Sequence, residues 1–167
     1  MDALLVFESM FGNTRDVAEA IAEGLRETFV TECLEVGRAS LPVEGIDLLV
    51  VGGPTHQFGL SRPDSRKGAA SETDEPLISP GIGIREWISS LPRAPGVAAA
   101  TFDTSIRKPN LPGSAARGAQ KRLKRLGYRM VVPAEIFHVE GTTGPISEGE
   151  LERALAWGRT VATAATT

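Results

Sequence analysis

Two runs of consecutive apolar residues constrain this chain more than anything else in it: Leu4–Phe7 and Ile46–Val51, the second interrupted only by Asp47. Neither alternates apolar with polar positions, so each reads as a strand covered on both faces rather than one with a wet side. Between them, Val17, Ala18, Ile21, Ala22 and Leu25 recur at helical spacing and predict a helix over roughly 13–28. Asn13 followed by Asp16 reads as its capping box. A strand follows near Val30–Val36.

The same alternation continues. Ile84, Trp87, Ile88 and Leu91 mark a helix closed by Pro92, and Val97–Phe102 is a strand of mostly small residues. Ala115–Leu126 is a helix stopped by Gly127. Tyr128–Val132 and Ile136–Val139 are strand-like and broken by Pro133. Ser147 and Glu150 cap a last helix with the stripe Leu151, Ala154, Leu155, Val161 and Ala162. Trp87 and Trp157 lie on helix faces that belong to the core. One helix is missing from the alternation. In its place the segment 58–83, rich in Gly, Pro, Ser and charge, reads as a long functional or mobile loop. The pattern implies one α/β domain over residues 1–167, with a parallel sheet between two helical layers and right-handed crossovers.

Ligands of such sheets sit at the carboxyl ends of the strands. Three loops lie there, 8–14, 52–60 and 102–113, and all carry Gly, hydroxyl or amide side chains. In the first, Ser9-Met10-Phe11-Gly12-Asn13-Thr14 joins a strand to a helix start. Unpaired amides and roughly half a positive charge gather at such a start and favour a phosphate. No Lys or Arg precedes Arg15, so neutral donors would hold that phosphate, which suits a cofactor monoester better than a triphosphate. A plain, well-capped turn is the competing reading. No cluster of residues suggests a metal site or a catalytic group.

Composition closes off several classes. The 167 residues carry a net charge of −3, and 41% are hydrophobic, enough for an ordinary core. No apolar run approaches the roughly 20 residues of a membrane span, and no basic-then-apolar segment opens the chain, so a cytoplasmic protein is expected. Cys33 is the only cysteine and reads as a small buried hydrophobe in a reducing compartment. Arg117, Lys121, Arg122, Lys124, Arg125 and Arg129 crowd one helix and its end. They read either as a solvated face or as a patch for an acidic redox partner or the phosphates of a pyridine nucleotide. Arg62, Arg66, Lys67, Arg107 and Lys108 lie in neighbouring loops. Without interleaved aromatics, no nucleic acid is expected as a partner.

The three loops in order resemble the flavodoxin-like family, and the resemblance runs from Met1 to about Ala165. The family's Thr/Ser-x-Thr-Gly-x-Thr loop is matched by Ser9–Thr14. Its Gly-x-Pro-Thr loop is matched by Gly52-Gly53-Pro54-Thr55, with His56, Phe58 and Gly59 following, and its third loop by Phe102-Asp103-Thr104. The resemblance implies a three-layer flavodoxin-like sandwich with a five-stranded parallel sheet of order 2-1-3-4-5. It also implies FMN, with the phosphate on Ser9, Met10, Phe11, Gly12, Asn13 and Thr14. The flavin ring would lie between Pro54, Thr55, His56, Phe58 and Gly59 on one side and Phe102, Asp103 and Thr104 on the other. Gly59 would supply a backbone carbonyl able to turn toward the ring. Three features depart from the family: Phe11 replaces a hydroxyl residue, 103–114 holds no aromatic, and the chain is only mildly acidic. By resemblance the chain is a monomeric electron carrier between a reductase and an acceptor, docking near the flavin edge. An FMN-dependent oxidoreductase of the NAD(P)H:quinone or protoporphyrinogen kind is the alternative.

Overall fold

A computed structural model describes residues 1–40, 43–56, 58–107 and 112–167. The apolar runs form the centre of a parallel sheet: β1 (Asp2–Phe7), β3 (Leu48–Pro54) and β4 (Ala98–Ile106), with β2 (Val30–Glu35) outside β1. The order is β2-β1-β3-β4-β5, and Leu5, Val6 and Leu48 to Val51 are fully buried. The expected fifth strand is two short ones. β5 (Arg129–Met130) pairs with Ala98 and Ala99, and β6 (Glu135–Val139) pairs with Phe102–Ile106 farther along the same strand. Pro133, with no amide to give the ladder, lies in the break.

The two helical layers follow from strand alternation. α1 (Asn13–Leu25) and α5 (Glu150–Ala165) cover one face with Leu5, Phe7, Val50 and Phe102. α3 (Ile84–Ser89) and α4 (Ala115–Arg125) cover the other with Val6, Leu49, Val51 and Trp87. Trp87 and Trp157 are both buried. Phe102, Phe137 and Trp157 form a triangle of edge-to-face rings with centroids 6.0–6.2 Å apart. A Cβ on Gly52 would fall 2.1 Å from the Phe102 ring, so the missing side chain at 52 is what admits that ring.

Four expectations are corrected. The segment 58–83 contains a helix, α2 (Pro63–Ser71), with Pro63 at its first position and Asp64 in its first turn. That pairing of proline and acid is an ordinary helix-start signal. Asn13 and Asp16 form no capping box: Gly12 is the N-cap of α1, at φ 104°, with no side-chain hydrogen bond. Gly149 caps α5, where Ser147 contributes only its carbonyl and the Glu150 carboxylate accepts instead from the His138 amide and Arg153. Cys33 is half-buried, and burial pushes its thiol up to about 12.

α1 and α5 touch backbone to backbone. A Cβ on Gly24 would lie 2.3 Å from the Leu155 carbonyl, and one on Gly158 would lie 2.3 Å from the Ile21 carbonyl. Alanine at either site forces the helices apart and is expected to cost about 1–3 kcal/mol. The double variant should cost less than the sum, because the helices separate only once. Urea unfolding of both single variants and the double variant checks this.

Candidate functional site

At the carboxyl ends of β1, β3 and β4 the chain leaves a cleft of about 420 Å³, within the usual range for cofactor sites. Its floor is the first loop. Ser9 is fully buried, and its hydroxyl accepts from the Gly12 amide at 3.1 Å. Residues 78–79 strap this loop from behind: the Ile78 and Ser79 amides donate to the Met10 and Ser9 carbonyls, and the Ser9 amide donates to the Ser79 hydroxyl. With its carbonyls engaged there, the loop is left with amides for the cleft. Those of Phe11, Asn13 and Thr14 have no partner among the described residues. Across the floor the hydroxyls of Thr14 and Thr104 meet at 2.7 Å.

Of the expected site residues, Ser9, Met10, Phe11, Asn13, Thr14, Pro54, Thr55, His56 and Thr104 line the cleft. Gly12 supplies the turn beneath them. Thr55 serves two ends, since its hydroxyl accepts from the Ala115 amide at the start of α4 while its own amide donates to the Thr104 carbonyl. Phe102 and Asp103 do not line the cleft, contrary to expectation. β4 is buried on both faces here, so Phe102 enters the α1–α5 core and Asp103 points beneath α4. Phe58 and Gly59 close a tight turn in which His56 and Gly59 exchange both backbone hydrogen bonds. The positive φ of that turn, 127°, falls on Phe58 rather than on Gly59, and the Phe58 side chain is 62% exposed. Lys108 lies outside the described residues.

Sequence reasoning missed the wall opposite. Ser65, Gly68 and Ala69 of α2 face the cleft, together with Asp64 and Glu72. His56 is half-buried, and its Nδ1 lies 2.9 Å from the Ser65 hydroxyl. Burial, and then the nearby Arg66 charge, hold the His56 pKa below its ordinary value, so the ring is neutral at neutral pH. Arg66 fastens α2 in place: it is buried and pairs with Glu86 of α3 and with the Ser61 hydroxyl. Among the described residues, no group of His, Cys, Asp and Glu could hold a metal, and no helix is long and apolar enough to cross a membrane.

Two buried carboxylates serve helix starts: Glu8, which the sequence did not single out, and Asp103, expected instead beside the ring. Glu8, at the end of β1, accepts from the Ile84 amide at 2.7 Å, the first of α3. Asp103, within β4, accepts from the Ala116 amide of α4 at 2.9 Å and from the Ser114 hydroxyl. Burial raises both pKa values against the pull of these donors. α1 begins at the same edge of the sheet with no buried carboxylate on its amides; Asp16, in its first turn, is exposed and pairs with Arg15. Its positive end is left for whatever enters the cleft.

The sequence matches the family Flavodoxin over residues 5–157. The chain belongs to the flavodoxin family. Among solved structures it is similar to a flavodoxin from the domain Archaea, at 18% identity over 100% of both chains and a TM-score of 0.70. It is also similar to Flavodoxin 1 from Bacillus cereus (19%, 98% of both chains, TM-score 0.66). A flavodoxin, WrbA-like protein from Agrobacterium tumefaciens is a third (18%, 99% of this chain and 97% of that one, TM-score 0.61). At these identities the structural likenesses speak to the fold. No curated protein matches the sequence significantly. The family's cofactor is FMN, and its members transfer electrons to redox partners. The cleft fits that cofactor: unpartnered amides at a helix start suit a phosphate, and the volume suits a flat ring.

Glu8 gives a pH signature. Its folded pKa lies above the ordinary 4.5, so the folded chain binds a proton more readily than the unfolded one. Folding stability from this group therefore falls as pH rises from about 4.5 through the raised value. Glu8→Gln keeps an oxygen for the Ile84 amide but cannot titrate. Lowering the pH from about 8 to 5 should stabilise the wild type relative to Glu8→Gln, as urea melts at each pH will read.

Proposed function

We propose that the chain is an FMN-loaded electron carrier that accepts electrons from a reductase and passes them to an acceptor. The observation that carries this reading is the start of α1, where unpartnered amides and the Ser9 and Thr14 hydroxyls face the cleft while α3 and α4 already hold internal carboxylates. In this reading Ser9, Met10, Phe11, Gly12, Asn13 and Thr14 hold the phosphate through neutral donors. Thr104 holds the Thr14 hydroxyl in position. Pro54, Thr55 and His56 border the ring, and His56 offers it a neutral imidazole rather than a second positive charge. The bound FMN supplies the redox chemistry, while the chain supplies placement and electrostatics. The reading includes a monomer in a reducing, cytoplasmic compartment, which suits a single cysteine.

The second reading, an enzyme oxidising NAD(P)H with a quinone or acting on a protoporphyrinogen, has one observation in its favour. The α2 wall, with Ser65, Gly68 and Ala69, enlarges the cleft with polar and small groups that suit a small molecule beside the ring. Oxidation of NADH or NADPH with a quinone, without added reductase, would favour the enzyme over the carrier.

Titration of the apoprotein with FMN and with riboflavin tests the phosphate position. Thr14→Val should weaken FMN by about tenfold to a hundredfold, the worth of a hydrogen bond to a charged group. Riboflavin should change little. Equal losses for the two ligands would mean that the phosphate lies elsewhere.

A further inference from the structure

The chain is acidic overall, yet one part of its surface is strongly basic. α4 holds five cations, Arg117, Lys121, Arg122, Lys124 and Arg125, and no carboxylate. Arg122, Lys124 and Arg125 lie in the last turn, where the helix dipole favours them. Arg117 lies in the first turn, where the dipole opposes a cation, and only the buried Asp103 partly offsets it. Helix stability does not explain a positive charge there.

Other elements bring more charge to the same place. Arg85 of α3 donates to the Leu60 and Ser61 carbonyls. Leu60 in turn lies against Gly118, one turn before Arg122. Burial first, and then the charges of Arg122 and Arg62, hold the Arg85 guanidinium below its ordinary pKa. Among the described residues none of Arg62, Arg85, Arg117 and Arg122 forms an ion pair, and the nearby Glu86 is taken by Arg66. Beside them, at the tip of the turn that borders the cleft, Phe58 is 62% exposed at a φ of 127°. Glycine would hold that backbone without strain, so a bulky aromatic there is kept at a cost in stability. The Phe58 carbonyl presses on Gly113 at the approach to α4, which makes the turn and the arginines one surface.

We infer that Phe58 and the neighbouring Arg62, Arg85, Arg117 and Arg122 form the docking face for a redox protein whose own docking face is acidic. An exposed aromatic beside guanidinium groups that form no ion pair is an apolar anchor with charged steering next to it, and its complement is a carboxylate-rich surface. This inference rests on the electron-carrier reading and names the partner's chemistry. In the test reaction one electron passes from dithionite-reduced flavin to ferric haem, leaving ferrous haem; no covalent bond forms or breaks.

Cytochrome c in native form, which is basic, and in succinylated form, which is acidic, provides one haem with two opposite surfaces. Binding is measured by calorimetry on both the FMN-loaded and the flavin-free chain at low ionic strength, and electron transfer is measured by stopped flow on the loaded chain. The succinylated protein should bind and be reduced faster than the native one. Arg62→Glu and Arg122→Glu should each lower its affinity and rate about tenfold. Arg26→Glu, the same charge change on the exposed end of α1 in the opposite layer, should lower them less than about twofold. Phe58→Gly should raise thermal stability while weakening binding. The inference is overturned if the two patch variants match Arg26→Glu, if native cytochrome c is preferred, or if a short DNA duplex occupies the face and the succinylated protein does not. A chain that takes up no FMN would silence electron transfer but not binding. Failure of the carrier reading is thereby separated from failure of the docking face.

Discussion

The structure depends on how it disposes of the positive ends of its helices. A parallel sheet with crossover helices starts its helices at one edge, so their unpaired amides collect there. Such a concentration needs anionic partners. α3 receives the Glu8 carboxylate, just past the end of β1, and α4 receives that of Asp103, within β4; both are buried. The desolvation cost of both groups appears in their raised pKa values. α1 is treated differently, since its first-turn carboxylate, Asp16, is exposed and paired with Arg15, and this difference supports the proposal that the cleft takes an anion from outside the chain.

The sheet and most helices were legible because burial on both faces writes uninterrupted apolar runs, and one-faced burial writes a helical stripe. Leu48 to Val51 and the Val17 to Leu25 stripe are examples. α2 was hidden because it buries only Arg66 and carries almost no apolar residue, so it has no stripe to read. Its start signal, Pro63 with Asp64, was present but stood in a segment of breakers. The first loop was readable because its chemistry is local. The third was misread because Phe102 and Asp103 belong to a strand that continues past Phe102 to Ile106. There alternation sends one side chain into the aromatic triangle and the next under α4. Glu8 was invisible because its role depends on Ile84, far away in sequence.

The cleft wall and the cationic surface share one fastening. Arg66 joins α2 to Glu86 on α3, and Arg85, one residue before Glu86, reaches back to Leu60 and Ser61. Buried ion pairs of this kind contribute little net stability but are costly to break singly. Their role here is positional: α2 keeps Ser65 beside His56, and the preceding turn keeps Phe58 outward. Placement of the ring-bordering loop and placement of the arginines are therefore not independent.

The bare contact between Gly24 and Gly158 has a bearing on biogenesis. α1 carries the floor of the cleft, and its seat is completed only by α5, which the ribosome delivers long afterwards. Since domains settle as units during and after synthesis, the early helix must wait, half-clad, for the late one. On the electron-carrier reading, cofactor uptake would then follow synthesis, and a nascent chain stalled before α5 would emerge colourless.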